Sequence, residues 1–177
     1  MVRGFLPDKG KGIEIGVGTG RFAQKLNIEY GLDLSENMLK KARKRGIKTV
    51  RASAEKIPFK ENYFDYALNV VTICFVEDPL EVLKETYRIL KKEGVSVVGF
   101  IPKESTLGRY YLKKKESPFY KEARFYTFNE IKEFMKKAGF KYEGARELLF
   151  KKGDPPKAED ICSGYSSGGF VAIRGIK

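Results

Sequence analysis

"EIGVGTGRF", Glu14 to Phe22, lies between a short apolar run and an amphipathic segment, and it sets three glycines at alternate positions, Gly16, Gly18 and Gly20. "KGIEIGVG" reads as a strand ending in a glycine turn, and "TGRFAQKLN" as a short helix. At such a junction backbone N–H groups and a helix N-terminus face a ligand. Glycine lets the backbone approach that ligand closely and adopt positive φ. The dinucleotide pattern G-x-G-x-x-G is met by Gly16 and Gly18 but broken at Arg21, because the third glycine comes one residue early. No Gly-Lys-Ser/Thr follows, so the phosphate loop of nucleoside triphosphatases is absent.

Outward from this loop, apolar runs alternate with amphipathic segments. "IEYGLDLS" reads as a second strand, and "SENMLKKARKRG" as a helix opened by Ser35 and stopped at Gly46. "IKTVRA" is a third strand, and "FDYALNVVTICF" holds a buried fourth. A short helix that the pattern does not resolve is expected between them. "EDPLEVLKETYRILKKEG" reads as a helix capped by Asp78, with Pro79 in its first turn and Gly94 at its end. "VSVVGFI" is a fifth strand, rich in β-branched residues. After a less regular segment, "TFNEIKEFMKKAGF" opens on a Thr127–Glu130 capping box and closes at Gly139. "FKYEGARELLF" and "GGFVAIRGIK" complete the pattern as an expected antiparallel pair. The order predicts an α/β fold, Rossmann-like and doubly wound, with a seven-stranded, mainly parallel sheet and an antiparallel last strand. Ligands of such sheets bind outside the carboxyl ends of the strands, at the switch point.

Composition narrows the chemistry. With 177 residues the chain is expected to form one domain over 1–177. It contains no histidine, the commonest general base and a common metal ligand, so Ser-His-Asp, Cys-His and His-cluster metal chemistry are excluded for the chain alone, and no metal site is expected. Cys74 and Cys162 are too few for a disulfide framework. No apolar run has the length of a membrane span or a signal peptide, which reads as a cytoplasmic protein without a membrane partner. The formal net charge of +12 is open to two readings, a polyanionic partner such as RNA or a Lys-rich surface of thermophilic type. The cations are spread over nearly every helix, which favours the surface reading and leaves nucleic acid as the less favoured partner.

Asp33 closes the second strand, where an acid can accept from both ribose hydroxyls. "ASAEKIPF", Ala52 to Phe59, puts small and polar residues where an adenine edge could be read. Together with "GLDLSENMLKKAR", "SAEKIPFKENYFDYAL", the helix before the fifth strand and the late helix, these stretches resemble the class I S-adenosylmethionine-dependent methyltransferases. The resemblance is to the ubiquinone-biosynthesis-like group, the methyltransferase type 11 group, and covers nearly all of residues 11–177.

That resemblance implies S-adenosylmethionine as cofactor and assigns residues to it. Gly16, Gly18 and Gly20 turn around the methionine and ribose, with Glu14 anchoring the loop and approaching the amino-acid end of the cofactor. Asp33 takes the ribose hydroxyls, and Leu34 and Met38 flank the adenine. Ala54 offers its backbone N–H to the ring, and Ser53 stands where the group commonly has an aspartate accepting from the adenine amino group. Asn69 and Val70 offer backbone carbonyls to the methionine ammonium. No catalytic residue is implied. Methyl transfer from a sulfonium is an in-line displacement for which alignment alone supplies ~7–11 kcal/mol, so the lack of histidine is compatible with it. The acceptor expected is a small molecule. An RNA or protein acceptor, or a binding protein without turnover, are the alternatives, and a homo-oligomer is compatible with each. The Asn/Asp-Pro-Pro-aromatic signature of adenine and glutamine methylation is missing, since Asn69 is followed by Val70, Val71 and Thr72. Cys74 reads as a core residue, and Arg109 to Tyr111 with Lys113 to Lys115 as a candidate acceptor contact. Only 13 residues precede Glu14, so little or no N-terminal substrate cap is expected.

Overall fold

Strand β1, Gly12–Ile15, is buried along its whole length because it runs through the middle of the sheet. It is flanked by β2, Tyr30–Asp33, and β4, Phe64–Val70, in parallel register, with Ile15 opposite both Leu32 and Asn69. Beyond them lie β3, Lys48–Arg51, and β5, Leu90–Phe100, also parallel. The structure, a computed structural model, describes residues 1–113, 121–149 and 160–177.

The sheet continues through β8, Phe170–Ile176, which is antiparallel to β5, then β6, Lys141–Leu148, and a short edge strand β7, Ile161–Ser163. The full order is β3-β2-β1-β4-β5-β8-β6-β7. The expected antiparallel pairing of the last two long strands is therefore present. The sheet has eight strands among the described residues rather than seven, because three residues between the last two long strands, Ile161–Ser163, pair with the end of β6. So short a strand leaves no alternation in the sequence to read.

Both faces are covered. Helices α1, Arg21–Leu26, and α2, Glu36–Arg43, bury Ala23, Leu26, Leu39 and Ala42 on one side. Helices α3, Pro79–Ile89, and α5, Phe128–Lys137, bury Val82, Leu83, Ile131 and Met135 on the other. The caps sit where the sequence put them. Ser35 Oγ accepts from Met38, Asp78 from Leu80 and Glu81 with Pro79 at the first helical position, and Thr127 and Glu130 form the reciprocal box. A further short helix α4, Thr106–Leu112, opens on Ser105 in the segment read as irregular.

Two expectations are corrected. Helix α3 ends at Ile89, not Gly94. Leu90 turns extended to pair with Phe64, and the sheet register then jumps to Val95 opposite Tyr66, with Glu93 left-handed at φ 61° in between. Burial of Leu90 in the sheet outweighs the helix propensity of the lysines that follow. Nor is there a helix between β3 and β4. The stretch from Ala52 to Tyr63 is held open by α3, whose Glu85 accepts from Ile57 N–H at 2.7 Å while Arg88 donates to the carbonyls of Ile57 and Phe59, both at 2.8 Å. Glu85 and Arg88 also bond each other, so one ion pair holds the loop backbone on both sides of Pro58. Truncating Arg88→Ala is expected to lower unfolding free energy by about 1–3 kcal/mol, read as a lower urea midpoint at unchanged slope.

Candidate functional site

The carboxyl ends of β1, β2 and β4 open onto a cavity of about 580 Å³. Its floor is Gly16 and Thr72, one wall is Asp33 and Leu34, and a second is Ser53 to Glu55. Val70, Val71 and Phe75 close the side toward β5, and Glu77 lies at the rim.

The glycine loop forms the floor for separate local reasons. Gly16 takes φ +70°, and a Cβ there would lie 2.2 Å from the Thr72 side chain. The Thr72 hydroxyl occupies that space and donates toward the carbonyls of Ile15, Gly16 and Val70 at 3.2–3.4 Å. Gly20, at φ +78°, is needed for packing, since its Cβ would meet Ala42 at 3.0 Å. Gly18 places its N–H 2.9 Å from Asp33 Oδ2. The other oxygen of Asp33 accepts from Ser35 N–H at 2.8 Å, so this carboxylate joins the first loop to the start of α2.

Glu14 lies beneath the loop, 2% exposed, and accepts from Ala23 N–H at 2.8 Å in the first turn of α1. Burial raises its carboxyl to about 8; the Ala23 bond partly offsets this and the charge of Asp33 adds to it. Glu14 thus anchors helix and loop without reaching the cavity wall. Leu34 and Met38 are both exposed apolar residues, and of the two only Leu34 lines the cavity. Ser53, Ala54 and Val70 line it, whereas Gly18, Gly20 and Asn69 do not. Asn69 is 3% exposed in register between Ile15 and Val98, and neither atom of its side-chain amide has a partner.

Sequence reasoning passed over Glu55, Thr72, Phe75 and Glu77. Glu55 Oε2 accepts a hydrogen bond from the Ser53 hydroxyl, while its other oxygen accepts from Glu77 N–H at 2.9 Å. Burial would raise the Glu55 carboxyl, but the Ser53 hydroxyl and backbone N–H groups outweigh it and hold it below the ordinary value. Val71 carries φ +56°, a costly conformation for a β-branched residue, at the point where the chain leaves β4 to form this wall. Its signal in the sequence was the apolar run continuing past the strand. A second, small apolar cavity of about 30 Å³ shares Val71 and Phe75 with the first and is bounded by Phe100, Phe125 and Tyr126. Cys74 lies there, buried, with its thiol pushed up to about 12 by desolvation, which agrees with a core role. Arg109 is spent on the Glu104 carbonyl, and Lys114 and Lys115 lie outside the described residues.

The charges on the wall are one-sided. Asp33, Glu55 and Glu77 line the cavity and, among the described residues, no Lys or Arg does, although the chain carries +12 overall. A pyrophosphate would meet carboxylates and no counter-charge; a cationic ligand carrying hydroxyl and amino donors fits. Among the described residues no group of side chains could hold a metal, and no helix is long and apolar enough to cross a membrane.

Known proteins share this fold. A family model for a methyltransferase domain matches residues 13–98. An S-adenosylmethionine-dependent methyltransferase of Thermotoga maritima, described as a possible histamine N-methyltransferase, superposes with TM-score 0.93 at 48% identity, over 99% of this chain and 86% of that one. The chain belongs to the S-adenosylmethionine-dependent methyltransferases. A protein of Methanocaldococcus jannaschii of undescribed activity is 44% identical to this methyltransferase over 96% of it and 83% of the relative. The ubiquinone/menaquinone biosynthesis C-methyltransferase of Rickettsia bellii is 33% identical, over 92% and 73%. S-adenosylmethionine is the cofactor, and the acid-lined cavity suits its net positive charge.

The raised carboxyl of Glu14 has a measurable consequence for the methyltransferase. Between about pH 4.5 and 8 the folded protein holds a proton that the unfolded chain has released, so this residue lowers stability as pH rises through that window. Glu14→Gln keeps an acceptor for Ala23 and removes the titration. Its stability gain over the wild type is expected to grow from near zero at pH 4 to a few kcal/mol at pH 8. Inside the window the slope is about 1.4 kcal/mol per pH unit, measured in urea titrations at stepped pH.

Proposed function

We propose that this methyltransferase acts as a single domain over 1–177 and moves the methyl group to a small-molecule acceptor, with a neutral amine as the first class. The observation that carries the reading is the cavity itself, acid-lined, without Lys or Arg among the described residues, and sharing Val71 and Phe75 with an aromatic recess. In this reading Asp33 receives the ribose hydroxyls, and Gly16, Gly18 and Gly20 turn beneath the ribose and methionine. Leu34 and Met38 flank the adenine. Ala54 N–H and Ser53 Oγ read its edge, and the carbonyls of Asn69 and Val70 receive the ammonium. Asp33 and Gly18 already touch, so ribose binding would use the remaining lone pairs of a carboxylate held in place by backbone.

The cofactor supplies a methyl group on a sulfonium, an electrophile that needs no activation. The chain's contribution is then to hold the acceptor in line and keep water out. Phe75, Phe100, Phe125 and Tyr126 offer an apolar surface for the carbon skeleton of the acceptor. A neutral amine attacks through its lone pair and requires no base beforehand, which suits a chain with no histidine and a buried, protonated Cys74. The description of the Thermotoga maritima protein supports the amine class. The scattered Lys surface supports a protein built for high temperature, and the same reading places it in the cytoplasm.

Calorimetry is expected to give micromolar-range affinity for S-adenosylhomocysteine, lowered about 10–100-fold by Asp33→Ala, at ~1.4 kcal/mol per tenfold. Unchanged affinity would remove Asp33 from the ribose site. With labelled cofactor, transfer is expected to small amines ahead of phenols and thiols. Phe125→Ala, which lines the recess and not the cofactor cavity, is expected to raise the acceptor KM roughly tenfold through lost apolar contact while leaving cofactor affinity in place. Transfer to RNA instead, with affinity collapsing as salt rises, would establish the polyanion reading.

A further inference from the structure

The side chains lining the cavity offer acceptors to a ligand and withhold donors. Only Ser53 and Thr72 among them carry a side-chain hydrogen to donate. Thr72 directs its hydroxyl at the backbone carbonyls of the first loop and β4. Ser53 gives its single proton to Glu55 Oε2, and its oxygen accepts from Glu55 N–H at 3.2 Å, which leaves one lone pair. Glu55 is itself fixed, because Oε1 accepts from Glu77 N–H at 2.9 Å. A serine alone is ambivalent, since its hydroxyl rotates to donate or accept as the ligand demands. A serine whose proton is committed to a held carboxylate loses that choice.

We propose that Glu55 fixes the Ser53 hydroxyl as an obligate acceptor and thereby makes the cavity select a 6-amino over a 6-oxo purine in its cofactor. The inference rests on the placement of the adenine edge at Ser53 and Ala54 given above. Glu55 is a positioning residue in this account and does its work through Ser53. The pair would restore what a lone serine loses relative to an aspartate at that position, an oxygen that only accepts. A 6-oxo base would turn its carbonyl toward the Ser53 lone pair and the Glu55 carboxylate, where an unmatched acceptor pair is strongly disfavoured.

The experiment compares S-adenosylhomocysteine with S-inosylhomocysteine by calorimetry on the wild type, Glu55→Gln and Ser53→Ala. The wild type is expected to prefer the adenosyl compound by about 10–100-fold, the range of one hydrogen bond to a charged or charge-backed acceptor. Glu55→Gln frees the Ser53 proton and brings an amide donor, so the preference is expected to fall roughly tenfold, chiefly through tighter binding of the inosyl compound, while Ala54 N–H, facing the protonated N1 of that compound, keeps the remainder. Ser53→Ala leaves the Glu55–Glu77 bond intact and is expected to reduce the preference by weakening the adenosyl compound. A structural role for Glu55 alone would weaken both ligands together and leave their ratio unchanged. A wild-type ratio near one, or a ratio kept by both variants, overturns the proposal while the cofactor site stands. Failure of the wild type to bind either nucleoside overturns the placement of the cofactor, and the proposal with it.

Discussion

One carboxylate holds the ligand-facing edge of this protein in order. Asp33 stands at the end of β2 and accepts from Gly18 on one side and Ser35 on the other. Two loops that leave adjacent strands are therefore fixed relative to each other before any ligand arrives. The bond also explains why the glycine loop folds flat over the end of β1: Gly18 N–H is drawn toward Asp33, and Gly16 and Gly20 supply the positive φ on either side. Glu14 then secures the helix that follows, from below, through Ala23. Ordering in advance lowers the entropy a ligand must meet on binding, which is the physical sense in which such a site is ready.

The alternation of strands and helices and most helix starts could be read from residues because they rest on local physics. Ser35, Asp78 with Pro79, and Thr127 with Glu130 cap their own helices, and the strands that cross the core are mostly apolar, Glu14 and Asn69 apart. What could not be read depends on partners far along the chain. Helix α3 stops early because Leu90 is claimed by Phe64, and the loop after β3 stays open because Glu85 and Arg88 reach across to it. The site divides the same way. Gly16, Asp33, Ser53 and Ala54 were visible because motif spacing carries them. Thr72 and Phe75 emerge only when β4 is laid beside β1, and Glu55 only when its oxygens are seen to be occupied. Glycine spacing alone also could not separate Gly16, which lines the cavity, from Gly20, which lets α2 pack close.

Charge in this molecule is organised by depth more than by total. The exterior is strongly basic, and several lysines lie over tyrosine rings, as Lys11 does on Tyr63 at 4.0 Å. The cavity wall is acidic. A ligand with a fixed positive charge meets a long-range repulsion from the whole protein that salt screens, and a short-range attraction from the half-buried Asp33 and Glu55 that salt screens less. Net charge therefore says little about what enters the cavity, and the sign of its lining says much.

Helix α3 grips the loop after β3 at two separated points. Its Glu85 and Arg88 hold Ile57 and Phe59. Just ahead of its first turn, the backbone of Glu77 holds Glu55. The loop that would face the nucleoside is thus braced from behind by an element of the opposite layer, while Phe125 and Tyr126 sit on a separate segment that Arg124 ties to the carbonyls of Cys74 and Glu77. Such a division separates inheritance from invention. Descendants of this chain could exchange the aromatic side of the cleft for new acceptors by drift in a few loop residues, while the braced side passes on unchanged.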